Sequence, residues 1–142
     1  MKITALLTGK KNSSFKNKNE IKIHNDFIFN YPAKEAKKVK EINYFYTSSD
    51  SKIILNQTKK IGYQLINRPK YLAKKNSKHI DVLEHAIKIF KEKNQYPDIL
   101  IVLLANAPIV KAKWIRDCIK ILIKEKDITA VVPVQNINDH HP

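Results

Sequence analysis

Residues 3–19, ITALLTGKKNSSFKNKN, decide how this chain folds. Ile3 to Leu7 is a short, nearly continuous apolar run, the pattern of a strand covered on both faces. It stops at Thr8-Gly9, and from there to Asn19 the chain is polar or small apart from Phe15. A buried strand that runs straight into a polar loop is how an α/β unit begins, and the chain beyond the loop repeats the scheme.

Helical periodicity starts at Pro32, with Ala33, Ala36 and Val39 on one face. Ile42 to Thr47 (INYFYT) is β-branched and aromatic and reads as a second strand. Ser49 or Asp50 is expected to cap a helix running through Ile61, which Gly62 closes. Tyr63 to Ile66 forms a brief strand ended by Arg68-Pro69. Ser77 to Lys93 is the longest helix, with Ile80, Leu83, Ile87 and Phe90 as its inward stripe. Asp98 to Leu104 (DILIVLL) is expected to be a buried strand, and Lys111 to Lys124 a helix with Trp114, Ile115, Cys118, Ile119 and Leu122 inward. Ile128 to Val134 (ITAVVPV) completes the pattern as a further buried strand. Strand–helix alternation of this kind predicts a mainly parallel sheet with helices on both faces and right-handed crossovers. Ligands of open α/β sheets bind beyond the carboxyl ends of the strands. The loops after Leu7, Thr47, Ile66, Leu104 and Val134 should therefore share one rim.

Composition narrows the class. The chain has 142 residues, 43% of them hydrophobic, enough for one domain with a sizeable core and too many for a disordered tail. Cys118 is the single cysteine, which rules out a disulfide framework and suits a reducing cytoplasm. No apolar run approaches the roughly 20 residues that a membrane-spanning helix needs. A net charge of +14 invites a nucleic-acid reading. Against it, only Arg68 and Arg116 among 27 basic residues are arginine, the residue whose bidentate fork phosphate recognition favours. The chain is also rich in Ile and Asn, so the lysines fit a general compositional skew. Most of them, such as Lys34, Lys37 and Lys38 or Lys88, Lys91 and Lys93, fall at the spacing of a solvated helix face. A nucleic-acid-binding domain thus stays as the rival class rather than the expectation.

The exception is the loop. Lys10, Lys11, Lys16 and Lys18 are gathered directly after a strand. The loop is not G-x-x-x-x-G-K-[ST] and not G-x-G-x-x-G. It nonetheless combines a glycine for a sharp turn at Gly9, small residues at Asn12, Ser13 and Ser14, and compact cations suited to phosphate. His24, His79 and His85 have no carboxylate or cysteine at ligand spacing, and no Ser-His-Asp or Cys-His arrangement is legible.

TGKKNSSFKNKN resembles the opening loop of the acylneuraminate cytidylyltransferases, the CMP-sialic-acid and CMP-keto-sugar-acid synthetases. Their loop has the form ARGGSKGIKNKN or, in one subgroup, TGRGGSSLKDKN. The resemblance continues through TSSDSKI, IGYQLINRPKYLA, HIDVLEHAI, DILIVLLANAP and VVPVQNINDHHP, in the order the family has them. It implies a Rossmann-like nucleotidyltransferase fold and a reaction in which CTP and a keto-sugar acid give the CMP-sugar and pyrophosphate with Mg²⁺ assisting. Lys10 falls on the family's loop arginine and Lys18 on its loop lysine, and these two are the expected catalytic residues. Thr8, Gly9, Ser13, Ser14, Asn19, Arg68, Ser77 and Asn106 complete the implied nucleotide site, Asn19 as a reader of the cytosine edge. Asp50 matches the family's aspartate after the second strand, and for it and for Ser77 a plain helix N-cap is the alternative.

Three departures qualify the implication. Leu104 replaces a family glutamine, Asn106-Ala107 replaces Thr-Ser, and Lys11-Asn12 adds bulk where the family has small residues. The family's metal-binding aspartates, its sugar-acid pocket and most of its dimer interface correspond to sequence beyond Pro142. The expectation is therefore residues 1–142 as a cytidylyltransferase domain truncated at its C-terminus, homodimeric in full length and cytoplasmic, with no membrane association and no metal ligands identified. A remnant that keeps the fold without turnover stays open as the alternative.

Overall fold

The computed structural model describes residues 1–12 and 17–134, so Ser13, Ser14, Lys16 and the part of the VVPVQNINDHHP motif beyond Val134 lie outside the described residues. Strand β1 (Ile3–Gly9) is buried along its whole length. Helix α1 (Asn30–Lys37), strand β4 (Tyr44–Ser49), helix α2 (Lys52–Ile61), strand β5 (Gln64–Asn67), helix α3 (His79–Glu92), strand β6 (Ile99–Leu104) and helix α4 (Ala112–Lys124) follow. Two short strands, β2 (Lys22–Ile23) and β3 (Asp26–Phe27), make a small antiparallel pair between β1 and α1 that the sequence pattern does not announce.

The main sheet has four parallel strands in the order β5-β4-β1-β6. Chain order runs from β1 outward to β4 and β5, then returns to the other side of β1. This is an open, doubly wound α/β arrangement, and its switch point lies between β1 and β6. Alternation along β1 splits the core. Ile3, Ala5 and Leu7 face a cluster with Phe29, Ala33 and Ala36 around α1, Ile54 of α2, and Ile115 and Ile119 of α4. Leu6 faces Tyr46, Ile66, Ala86 and Phe90 under α3. Helices thus cover both faces, as expected.

Several local expectations are corrected. Ser51, not Ser49 or Asp50, caps α2: its Oγ accepts the Ile54 N–H at 3.2 Å and donates to Glu20 Oε1 at 2.6 Å. Gly62 closes the helix at φ 97°, as read. The buried stripe of α3 is Val82, Ala86 and Phe90, whereas Ile80 is 55% exposed. The small side chain of Ala86 lets the helix sit close over Leu6, and Phe90 packs on Tyr46 with centroids 4.7 Å apart. In α4, Ala112, Ile115 and Ile119 are buried, while Trp114 is turned outward. β6 is an edge strand with Val102 and Leu104 exposed, not a strand covered on both faces. Ile128–Val134 forms no strand; Ile128, Val132 and Val134 are exposed. Its proline and the lack of a paired neighbour leave the segment outside the sheet. No described helix is long and apolar enough to cross a membrane.

Candidate functional site

A cavity of about 210 Å³ opens at the carboxyl end of the sheet, lined by Thr8, Gly9, Lys10, Asn19, Arg68, Ser77, His79, Val82 and Asn106. Segments after β1, β5 and β6 and the start of α3 converge there, and the cavity straddles the β1–β6 switch point. The shared rim expected from the sequence thus forms from the loops after β1, β5 and β6. The loop expected after Val134 lies outside the described residues, and the segment before it forms no strand.

Gly9 is needed for a reason other than the expected sharp turn. It is the last residue of β1, and a Cβ there would stand 2.7 Å from Ala105 Cβ and 3.0 Å from Ile54 Cδ1. Its backbone is extended, so it serves close packing between the ends of β1 and β6. Lys10 follows, with Nζ donating to the Lys74 carbonyl at 3.2 Å. That bond ties the first loop to the segment before α3 across the cavity. Asp50, expected as a cap, instead accepts the Lys11 N–H at 2.8 Å.

Asn19 is buried and donates from Nδ2 to the Lys10 carbonyl at 2.8 Å. It acts as a strut that holds the loop shut on itself, with its Oδ1 and second Nδ2–H left for a ligand. Lys18 lies on the same short 3₁₀ turn (Lys18–Glu20) and is not part of the cavity wall. Ser77 donates to the Leu72 and Lys74 carbonyls at 2.8 and 2.7 Å. It therefore shapes the turn ahead of α3 and does not cap the helix, whose N-cap position is Lys78. Asn106 is exposed at the opposite wall.

Arg68 is the most informative residue. It is only 7% exposed, its Nη2 donates to the Ser48 carbonyl at 2.9 Å, and Nε reaches Ser48 Oγ at 3.4 Å. Among the described residues no carboxylate lies within ion-pair distance of it. Burial pulls its pKa below the usual arginine value, and the more distant Asp50 opposes that only in part. A buried guanidinium whose charge is offset only in part is stabilised by an anion that joins it.

His79, the first residue of α3, is a cavity residue that the sequence reading passed over. Its Nε2 lies 3.0 Å from Thr8 Oγ1. Desolvation, then the charge of Arg68, holds its pKa below the ordinary histidine value. No spacing signal could have found it, since its partner is 71 residues away in sequence.

The described residues contain no group of three or more His, Cys, Asp or Glu able to hold a metal ion. Mg²⁺ asks for one or two carboxylates besides substrate phosphates, and the cavity wall carries none. Among the described residues the cavity wall thus offers no carboxylate to hold the Mg²⁺ that the resemblance implies.

Sequence comparison alone finds no matching protein family and no matching curated protein. Comparison of folds is informative. The fold is that of the cytidylyltransferases. One solved structure it resembles is a CMP:2-keto-3-deoxy-manno-octonic acid synthetase complexed with CTP, with a TM-score of 0.69 at 14% identity over 90% of this chain and 50% of that one. A cytidylyltransferase from Leptospira borgpetersenii gives 0.66 at 16% identity over 89% of this chain and 51% of that one. A 4-diphosphocytidyl-2C-methyl-D-erythritol synthase gives 0.61 at 9% identity, over 88% of this chain and 54% of that one. The chain spans about half the length of each.

Proposed function

We propose that the cavity at the β1–β6 switch point binds the triphosphate of CTP, and that the whole protein transfers CMP to the anomeric hydroxyl of a keto-sugar acid of the sialic-acid type. The observation that carries the reading is Arg68, a buried cation with no carboxylate partner among the described residues, in the wall of a cavity that also holds Lys10. A polyphosphate supplies the missing counter-charge. CTP is preferred to other anions because the similar folds bear cytidylyltransferase names and one was solved with CTP. The keto-sugar acid rests on the resemblance of TGKKNSSFKNKN and the motifs that follow it. The same resemblance is the ground for proposing a homodimer in the full-length protein and a cytoplasmic location.

In the proposed reaction the anomeric oxygen attacks the α-phosphorus, the bond to the bridging oxygen of pyrophosphate breaks, and the hydroxyl proton is released. Such a displacement depends on in-line positioning and on neutralising charge over the phosphates. Arg68 and Lys10 would neutralise charge, with Lys18 brought in from the adjoining turn, and Asn19 would keep the loop in the shape that presents Lys10.

The test is thermal denaturation with CTP, together with duplex DNA titrated at two salt concentrations. CTP should raise the melting temperature. Strong, salt-steep DNA binding with no CTP-induced shift would overturn the proposal in favour of a nucleic-acid-binding domain.

A further inference from the structure

His79 and Thr8 meet through a hydroxyl that can serve either charge state of the ring. Thr8 has one hydroxyl proton and two possible acceptors, the Leu103 carbonyl at 3.5 Å and His79 Nε2 at 3.0 Å. When the proton goes to Leu103, Thr8 Oγ1 accepts from Nε2–H. That arrangement is unchanged whether or not the ring carries a second proton on Nδ1. The contact therefore holds the ring in place in both charge states.

The surroundings of the ring decide which state is favoured. Arg68 from the segment after β5 and Lys10 from the segment after β1 line the same cavity, and both are cations. Asn19, Ser77 and Asn106 are neutral. Asp50, after β4, bears on Arg68 and is bonded to the Lys11 N–H. On α3 itself Asp81 is exposed, and His85 also lies under the influence of Arg68. No carboxylate is hydrogen-bonded to His79 among the described residues. An empty cavity thus resists a third positive charge, and an anion in it reverses that balance.

We propose that His79 is a proton-linked ligand residue of this cavity, taking up a proton as a polyphosphate enters and joining Arg68 and Lys10 as a third cation. The inference rests on the polyphosphate reading of the cavity. By linkage, a ligand that favours the protonated ring binds more tightly as pH falls through the histidine range. The depressed value of the free ring agrees with this direction. The terminal phosphate of CTP also gains a proton near pH 6 and loses charge, so the effect of His79 is read as the difference between wild type and variant.

The experiment is calorimetric titration of CTP and, separately, of inorganic tripolyphosphate at about pH 8 and about pH 6, in two buffers of different ionisation enthalpy, for wild type, H79Q and H79K. Proton uptake should accompany binding to wild type and be lost in H79Q. The affinity ratio of wild type to H79Q should grow about threefold or more between the two pH values for an upward shift of about one pKa unit. H79K, charged throughout, should track H79Q in its pH dependence while binding as tightly as wild type does at the lower pH. Proton NMR of the His79 ring with and without tripolyphosphate gives the same readout in the unaltered protein, with an upward shift expected. CTP binding with equal proton uptake in wild type and H79Q overturns the role of His79 and leaves the nucleotide reading standing. Linked binding of tripolyphosphate without binding of CTP supports His79 and overturns the nucleotide reading. Binding of neither overturns both.

Discussion

Gly9 at the end of β1 and Ala105 just past the end of β6 approach so closely that a Cβ on Gly9 would lie 2.7 Å from that of Ala105. Ala105 follows β6 directly, so its Cβ cannot yield without shifting the end of that strand, and Ile54 Cδ1 of α2 lies 3.0 Å from the same point. Gly9→Ala should therefore destabilise the protein by about 1–3 kcal/mol, the range for overpacking a filled site. Gly62→Ala needs only the flexible tip of Lys37, Nζ 3.3 Å away, to give slightly, but must adopt φ 97°. It should cost about 1 kcal/mol. Denaturant unfolding of the two variants checks the order, and only Gly9→Ala should also disturb the cavity.

Arg68 and Ser48 give a second prediction. Replacing a buried guanidinium that no carboxylate pairs directly by methionine relieves its desolvation but removes the donor to the Ser48 carbonyl. These effects oppose one another, so Arg68→Met should change the stability of the ligand-free protein by no more than about 1 kcal/mol. The CTP-induced rise in melting temperature should vanish. A variant that still shows the full CTP shift would remove Arg68 from the site.

The loop lysines are separated by a binding titration. Lys10→Ala should weaken CTP binding at least tenfold, the scale of about 1.5–3 kcal/mol for a hydrogen bond to a charged group. Lys88→Ala, on the exposed face of α3, should leave it unchanged. Equal effects would mean that the loop does not hold the phosphates.

Ser51 joins α2 to the segment after the first loop, because one hydroxyl both caps the helix and donates to Glu20. Ser51→Ala should cost about 1–2 kcal/mol in thermal or denaturant unfolding. Ser49→Ala should cost less, since its Oγ accepts only the Ser51 N–H.

Glu35 accepts the Ala112 N–H at 2.9 Å and so fastens α1 to the first turn of α4. Its hydrogen bond to Lys38, then that to Ala112, holds its pKa below the usual carboxylate value. A depressed carboxylate contributes stability that is fully present above the unfolded-state pKa and is lost as pH falls through the folded-state value. Stability should thus decline below about pH 4.3, and Glu35→Gln should remove part of that decline, at most about 1 kcal/mol for so accessible a group. Melting curves across the acid range measure it.

The sequence by itself determined the layered plan. Apolar runs at Ile3–Leu7 and Asp98–Leu104, separated by helical periodicity, leave few ways to bury both faces of β1, and the parallel sheet with helices on either side follows. Through the resemblance of its motifs to the acylneuraminate cytidylyltransferases, it also marked Thr8, Gly9, Lys10, Asn19, Arg68, Ser77 and Asn106, all of which line the cavity. What it left open depended on which surfaces meet. Two stripes compete on α3, and only packing against Leu6 and Tyr46 selects Val82, Ala86 and Phe90 over Ile80. The run DILIVLL looks equally buried at a sheet centre or at an edge, and only the strand order makes β6 an edge. Gly9 is visible as a glycine, but its reason is Ala105, 96 positions further on. His79 reaches the cavity through a hydroxyl 71 residues away, and the missing carboxylate beside Arg68 is a property of space. Periodicity reports what a residue does to its own helix or strand; close approach and uncompensated charge arise only when distant segments are brought together.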